Sequence, residues 1–271
     1  MAVTSLFCIH AAGQELYVYT EPASNMPAHS VSAKISGNLI SKGQSDENRF
    51  MQRYTPDLMV GVNKKLMVHA GATFASMHTQ KLKGESVYTY LKYRFVSVDE
   101  VHKHFRMAVF AEGAYSKNPF HYDELSLQGD HTGVQAGIIA TQLWNKLAVS
   151  ASASFLKVTE TKKAHHYINE PIYEAANYSL SAGYLLLPFT YTGYSQTNVN
   201  LYVELLGQQA LDAKKRYWDL APAIQFIFNS NSKLNIGHRF QLDGNMYRMT
   251  KRSWLLSYEY TFLNVLGKKK R

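Results

Sequence analysis

The chain has 271 residues, 46% of them hydrophobic, enough for a sizeable core in one large domain or two. A mean hydropathy of -0.26, with no apolar run reaching the roughly 18 residues of a spanning helix, excludes a helical membrane protein. The formal charge of +9 is spread along the sequence, four of the basic residues lying in the terminal run Lys268 to Arg271, so no concentrated patch points to nucleic acid.

Residues 2–13, AVTSLFCIHAAG, form a short apolar run that ends in small residues, with Ala11 and Gly13 suitably placed for cleavage before Gln14. They predict a signal peptide over residues 1–13, although no Lys or Arg precedes the run. The single cysteine, Cys8, falls inside it, so the mature chain has no disulfide framework and no thiol chemistry. Residues 14–29 carry Pro22 and Pro27 and read as an extended leader.

From residue 30 the pattern changes to strict alternation. The plainest case is residues 50–75, where Tyr54, Pro56, Leu58, Val60 and Val62 oppose Arg53, Thr55, Asp57 and Gly61. After the break at Asn63 to Lys65, Leu66, Val68, Ala70, Ala72 and Phe74 oppose His69, Gly71, Thr73 and Ala75. That is an antiparallel hairpin with one apolar and one polar face. The same period of two recurs at 31–39, 87–95, 105–115, 132–142, 147–155, 176–186, 199–205, 218–228, 234–242 and 254–262, for twelve predicted strands.

Alternation does not say which face meets which solvent, but the connections do. Tight turns at NKK, WNK and NSNS alternate with longer polar links at 41–49, 116–130, 159–173 and 208–216, the rhythm of short turns at one barrel end and long loops at the other. One face mixes full charges with Gly, Ala and Ser, and the other is apolar with aromatics near the strand ends. Through this strand pattern and loop rhythm, residues 30–262 resemble a bacterial outer-membrane β-barrel. The final strand, with Tyr258, Tyr260 and Phe262, is similar to the aromatic-ended last strand of such proteins. The fold expected is all-β: a single antiparallel up-and-down transmembrane barrel of about twelve strands, followed by a basic periplasmic tail at 263–271. The resemblance implies outer-membrane lipid and the barrel-assembly machinery as partners, periplasmic termini, and a channel, transport, enzymatic or structural role.

The face assigned to the lumen carries Lys34, Lys92, Arg94, Arg106 and Arg239 against Asp57, Glu112, Glu204, Asp219 and Glu259. Charges in so narrow a space must pair or be hydrated. They suggest a passage or cavity for small solutes, with a non-conducting structural or adhesive barrel acting through its outer loops as the alternative. His121, Asp123, Glu124 and His131 share one outer loop, and His165 and His166 another. These are the candidate metal ligands, but their spacing matches no known ligand framework, and no metal or cofactor is expected. His102 and His104 share a short turn with Asp99 and Glu100. No nucleophile elbow, zinc-protease motif or phosphate-binding loop is present, so no catalytic residues are assigned. Trp144, Trp218 and Trp254 read as rim or girdle residues.

Overall fold

The computed structural model describes residues 17–40, 50–77, 81–159, 171–190, 193 and 195–267. The predicted signal peptide, His165, His166 and the terminal basic run lie outside the described residues. Twelve antiparallel strands close into one barrel. In chain order they are β1 (Ser30–Ile40), β2 (Met51–Gly61), β3 (Leu66–Ala75), β4 (Lys83–Glu100), β5 (Lys103–Ser116), β6 (Gly133–Trp144), β7 (Leu147–Val158), β8 (Glu174–Leu187), β9 (Asn198–Ala210), β10 (Arg216–Phe228), β11 (Ser232–Gly244) and β12 (Arg252–Phe262). Each pairs with its sequence neighbours, and β1 meets β12 through partners running from Val31↔Phe262 to Leu39↔Trp254. Closure leaves no free sheet edge.

The alternation that predicted the strands also sorts their faces. Ile35, Leu58, Val87, Leu91, Val109, Val134, Ile138, Leu180, Leu201, Val203 and Leu256 are exposed on the outer wall. Their neighbours Ser32, Thr55, His69, Tyr90, Lys92, Ser150, Ser181, Glu204, Asp219, Gln225 and Ser257 are buried inside it. This wall is apolar outside and polar inside, the inverse of a soluble barrel.

β4 and β9 outrun their sequence signal furthest. β4 reaches Glu100 and β9 reaches Ala210, whereas alternation marks only 87–95 and 199–205. In β4 the register slips between Arg94 and Val96, which breaks the period. In β9 the doublets Leu205-Leu206 and Gln208-Gln209 hide it. The turns at 62–65, 101–102, 145–146 and 229–231 join strand ends at the end that also holds both barrel termini, as do the facing ends of β8 and β9. The longer loops, including 117–132 and 245–251, lie at the opposite end. Inward glycines let large rings lie flat on the inner wall: a Cβ on Gly71 would stand 2.6 Å from the Tyr88 ring, and one on Gly183 would collide with Tyr202.

Candidate functional site: a lumen crossed at two levels

The leader does not trail outside the barrel. It enters at the short-turn end, where the His29 amide donates to the Gly61 carbonyl at 2.6 Å, and crosses the interior. The Arg106 guanidinium of β5 donates to the Ser24 hydroxyl at 2.8 Å. The Ala23 amide donates to Thr141 Oγ1 of β6 at 2.9 Å. Lys92 of β4, fully buried, reaches the Pro22 carbonyl at 2.8 Å and Glu21 at 3.1 Å. On the far wall, Glu204 of β9 accepts the amides of Val18, Tyr19 and Thr20 at 2.9, 2.8 and 2.9 Å. A carboxylate receiving several N–H groups is strongly held. Tyr17 and Val18 then pack with Leu143, Ala148, Tyr202 and Leu255, while Ala23 packs on Ala108 and Ile139.

The second level lies toward the long-loop end, where the 117–132 loop folds inward. Gln208 of β9 holds Leu125 as a strand would, accepting its amide and donating to its carbonyl, both at 2.8 Å. Arg53 of β2 forks onto Asp130, at 3.1 and 2.6 Å, and also reaches Glu85 at 3.2 Å. Arg248, from the 245–251 loop, grips both oxygens of Asp219 at 2.7 Å each and those of Glu124 at 2.8 and 3.0 Å. It lies 3.7 Å above the Tyr217 ring, and Arg239 joins the same two carboxylates. Burial alone would raise the Glu124 carboxyl, but the charges of Arg248 and Arg239 outweigh it and hold the group down to about 2. Beneath the loop, Phe120, Leu125, Leu127, Leu156, Ile172, Tyr217 and Met246 form a buried apolar cluster.

Beside the leader is a cavity of about 470 Å³, lined by Val18 to Glu21 on one side and Glu124 to Gln128 on another, and reaching the long-loop end through Met249 to Ser253. Of the ten charged residues expected on the inner wall, Lys34, Asp57, Glu112, Asp219 and Arg239 line it. Lys92, Arg106 and Glu204 are engaged by the leader, as described, and Glu259 is paired with Lys233 at 2.8 Å. Arg94 stands at the short-turn rim, donating to the Lys64 carbonyl at 2.7 Å. Among these ten, Asp219 and Arg239 form an ion pair. The leader supplies partners to Lys92, Arg106 and Glu204, and the strands add Asp99 to Arg106 at 2.9 Å and Ser181 to Glu204 at 3.2 Å. A segment without periodicity gives no warning of that. The one signal was its length and two prolines, which suit an extended path.

The loop carboxylates proposed beside the histidines are otherwise occupied. Asp123 accepts from Lys215 at 2.8 Å and from the Tyr247 amide at 2.7 Å, and Glu124 belongs to the arginine network. His131 is buried, its ring T-shaped against Phe120 and its Nδ1 3.2 Å from the Ser126 carbonyl. Burial holds its imidazole below the ordinary histidine range. His121 lies with its ring centroid 6.0 Å from that of Tyr122. His104 Nδ1 is 2.8 Å from Asp99 Oδ1 at the short-turn end. Among the described residues no three His, Cys, Asp or Glu side chains are grouped to hold a metal. Trp144 and Trp254 are exposed on the outer wall, Trp254 with its ring 4.5 Å from that of His238, whereas Trp218 packs on Tyr178 with centroids 4.4 Å apart.

No protein-family model and no curated protein matches the sequence. Among solved structures the chain is similar to the COG4313 outer membrane channel from Pseudomonas putida F1, with a TM-score of 0.55 at 12% identity over 91% of this chain and all of that one. The KdgM porin aligns with a TM-score of 0.45 at 9% identity, over 86% of this chain and 99% of that one. The chain is thus a twelve-strand barrel resembling bacterial outer-membrane channels.

Proposed function

We propose that this barrel sits in the bacterial outer membrane, both termini periplasmic, and conducts small solutes through a narrow lumen. The observation that carries the reading is the polar cavity of about 470 Å³ inside a closed sheet whose exterior is an apolar belt. Lipid suits the belt, and a hydrated interior suits Asp57, Glu112 and Lys34. The shared fold with an outer-membrane channel supports the same reading. Export by a cleaved leader peptide and insertion by the barrel-assembly machinery belong to it. No catalytic role is assigned.

The leader bears on the alternative. With the leader held across the lumen by Glu204, Thr141, Lys92 and Arg106, the described conformation is obstructed, which favours a non-conducting surface barrel acting through its long loops. Planar-bilayer recordings separate the two. A channel gives discrete current steps, larger once residues 14–25 are deleted. Silence from both proteins, each folded by heat-modifiable gel migration, removes the channel reading.

A further inference from the structure

One wall of the cavity carries polar atoms with nothing to bond. Asp57 on β2, His69 on β3, Tyr90 on β4 and Glu112 on β5 all line the cavity. Among the described residues, Asp57 Oδ1, His69 Nε2, the Tyr90 hydroxyl and Glu112 Oε1 have no hydrogen-bond partner. His69 and Tyr90 are only 4% and 8% exposed. The sheet register sets His69, Tyr90 and Glu112 side by side on three neighbouring strands. Asp57 is close, its Oδ2 3.7 Å from His69 Nδ1. Tyr88 completes the wall, its ring laid over Gly71, which stands between it and Asp57 in the register. Buried polar groups are ordinarily satisfied, so several orphans on one surface call for a reason.

Charge supplies one. Glu21 is taken by Lys92 and Glu259 by Lys233. Lys34 stands between Asp57 and Glu259 in the register of β1 with its two neighbours. Glu112 has no ion pair among the described residues, and its cross-strand neighbours, Tyr90 and Gln135, are neutral. An enclosed carboxylate without a counter-charge is costly. The free atoms are mainly acceptors: two carboxylate oxygens, with a ring nitrogen and a hydroxyl that can accept. Tyr90 and Phe110 stack with centroids 5.4 Å apart, and the His69 ring lies 5.0 Å from Tyr90. Aromatic faces beside a carboxylate attract cations. With no three-ligand metal cluster among the described residues, the free acceptors of this wall are better matched to an ammonium than to a metal ion.

Resting on the channel reading above, we propose that this wall is a binding site for a small organic cation, an alkylammonium. Glu112 supplies the counter-charge, Asp57 and the Tyr90 hydroxyl accept N–H bonds, and the rings of Tyr90 and Phe110 flank the alkyl part. The cavity is of a size common to small-molecule sites.

Isothermal titration of the folded full chain in detergent, at low ionic strength and about pH 8, where ordinary carboxylates are ionised, tests it with butylammonium, butanol and butyrate. Butylammonium is expected to bind and the other two not. Glu112→Gln weakens that binding by about tenfold or more, Tyr90→Phe weakens it less, and Glu100→Gln at the exposed β4–β5 turn leaves it unchanged. No heat with butylammonium, equal heat with butanol, or unaltered affinity in Glu112→Gln overturns the site. If Glu112→Gln does not fold, unaltered affinity in Tyr90→Phe overturns it instead. Binding is read without current, so its failure and the failure of conduction are separate results.

Discussion

Thr20 and Glu204 are joined twice: Glu204 Oε2 accepts the Thr20 amide at 2.9 Å and the Thr20 hydroxyl at 2.6 Å. With the amides of Val18 and Tyr19 on Oε1, one carboxylate anchors the inner end of the leader to a strand more than 180 residues away in sequence. The leader is therefore a structural part of the barrel interior.

Removing that carboxylate strands its donors. Glu204→Ala is expected to cost about 3 kcal/mol, since three leader amides and the Thr20 hydroxyl lose their shared acceptor. Urea unfolding in detergent measures the loss. Hydrogen exchange places it, with the amides of Val18, Tyr19 and Thr20 losing protection before those of the strands. Protection that stays level with the strands would show that the bonds to Glu204 do not anchor the leader.

Acid should loosen the loop level through Glu124. Its folded carboxyl, held at about 2 against an ordinary 4.5, contributes stability that is complete above the ordinary value. That stability is lost as the pH falls through the folded one. The full effect is about 3 kcal/mol. Between roughly pH 4.5 and 2 the 117–132 loop is expected to release, visible as a change in near-ultraviolet circular dichroism. Glu124→Gln removes that part of the acid limb, and an unchanged acid profile in the variant would assign the transition to other groups.

Arg53 presents a harsher case. It is buried between Asp130 and Glu85, so Arg53→Met leaves two carboxylates together without their cation, a loss of about 3 kcal/mol or more. Arg53→Met combined with Asp130→Asn should recover a good part of it. Strict additivity in the double-mutant cycle would mean that the pair is not coupled.

A smaller change tests the inner wall itself. A methyl at Gly183 meets the Tyr202 ring, which also packs on Tyr17 with centroids 5.6 Å apart. Gly183→Ala is expected to destabilise the barrel by about 1–3 kcal/mol through overpacking. Gly183→Ala with Tyr202→Leu regains part of that in thermal melts, and Gly183→Ala alone matching the wild type would show that the ring moves aside freely.

The wall was legible because a half-lipid, half-lumen strand writes its two environments into alternate residues. Leu58 and Asp57, or Leu91 and Lys92, are neighbours in sequence and opposites in exposure. Where bulges or doublets interrupt that code, as at Arg94 and Gln208, the strand ends were lost. The candidate site was legible only in its list of charges. Which of them meet each other depends on the leader and the 117–132 and 245–251 loops. Their inward course is set by scattered long-range contacts, such as Gln208 to Leu125 or Arg248 to Asp219, and such contacts leave no local pattern.

The leader's attachments also order events during assembly. The leader binds β4, β5, β6 and β9, so it cannot settle until the strand that carries Glu204 has joined the sheet around it. A segment that precedes every strand it binds is seated after most of them, and a growing barrel must keep room for it at its centre until then.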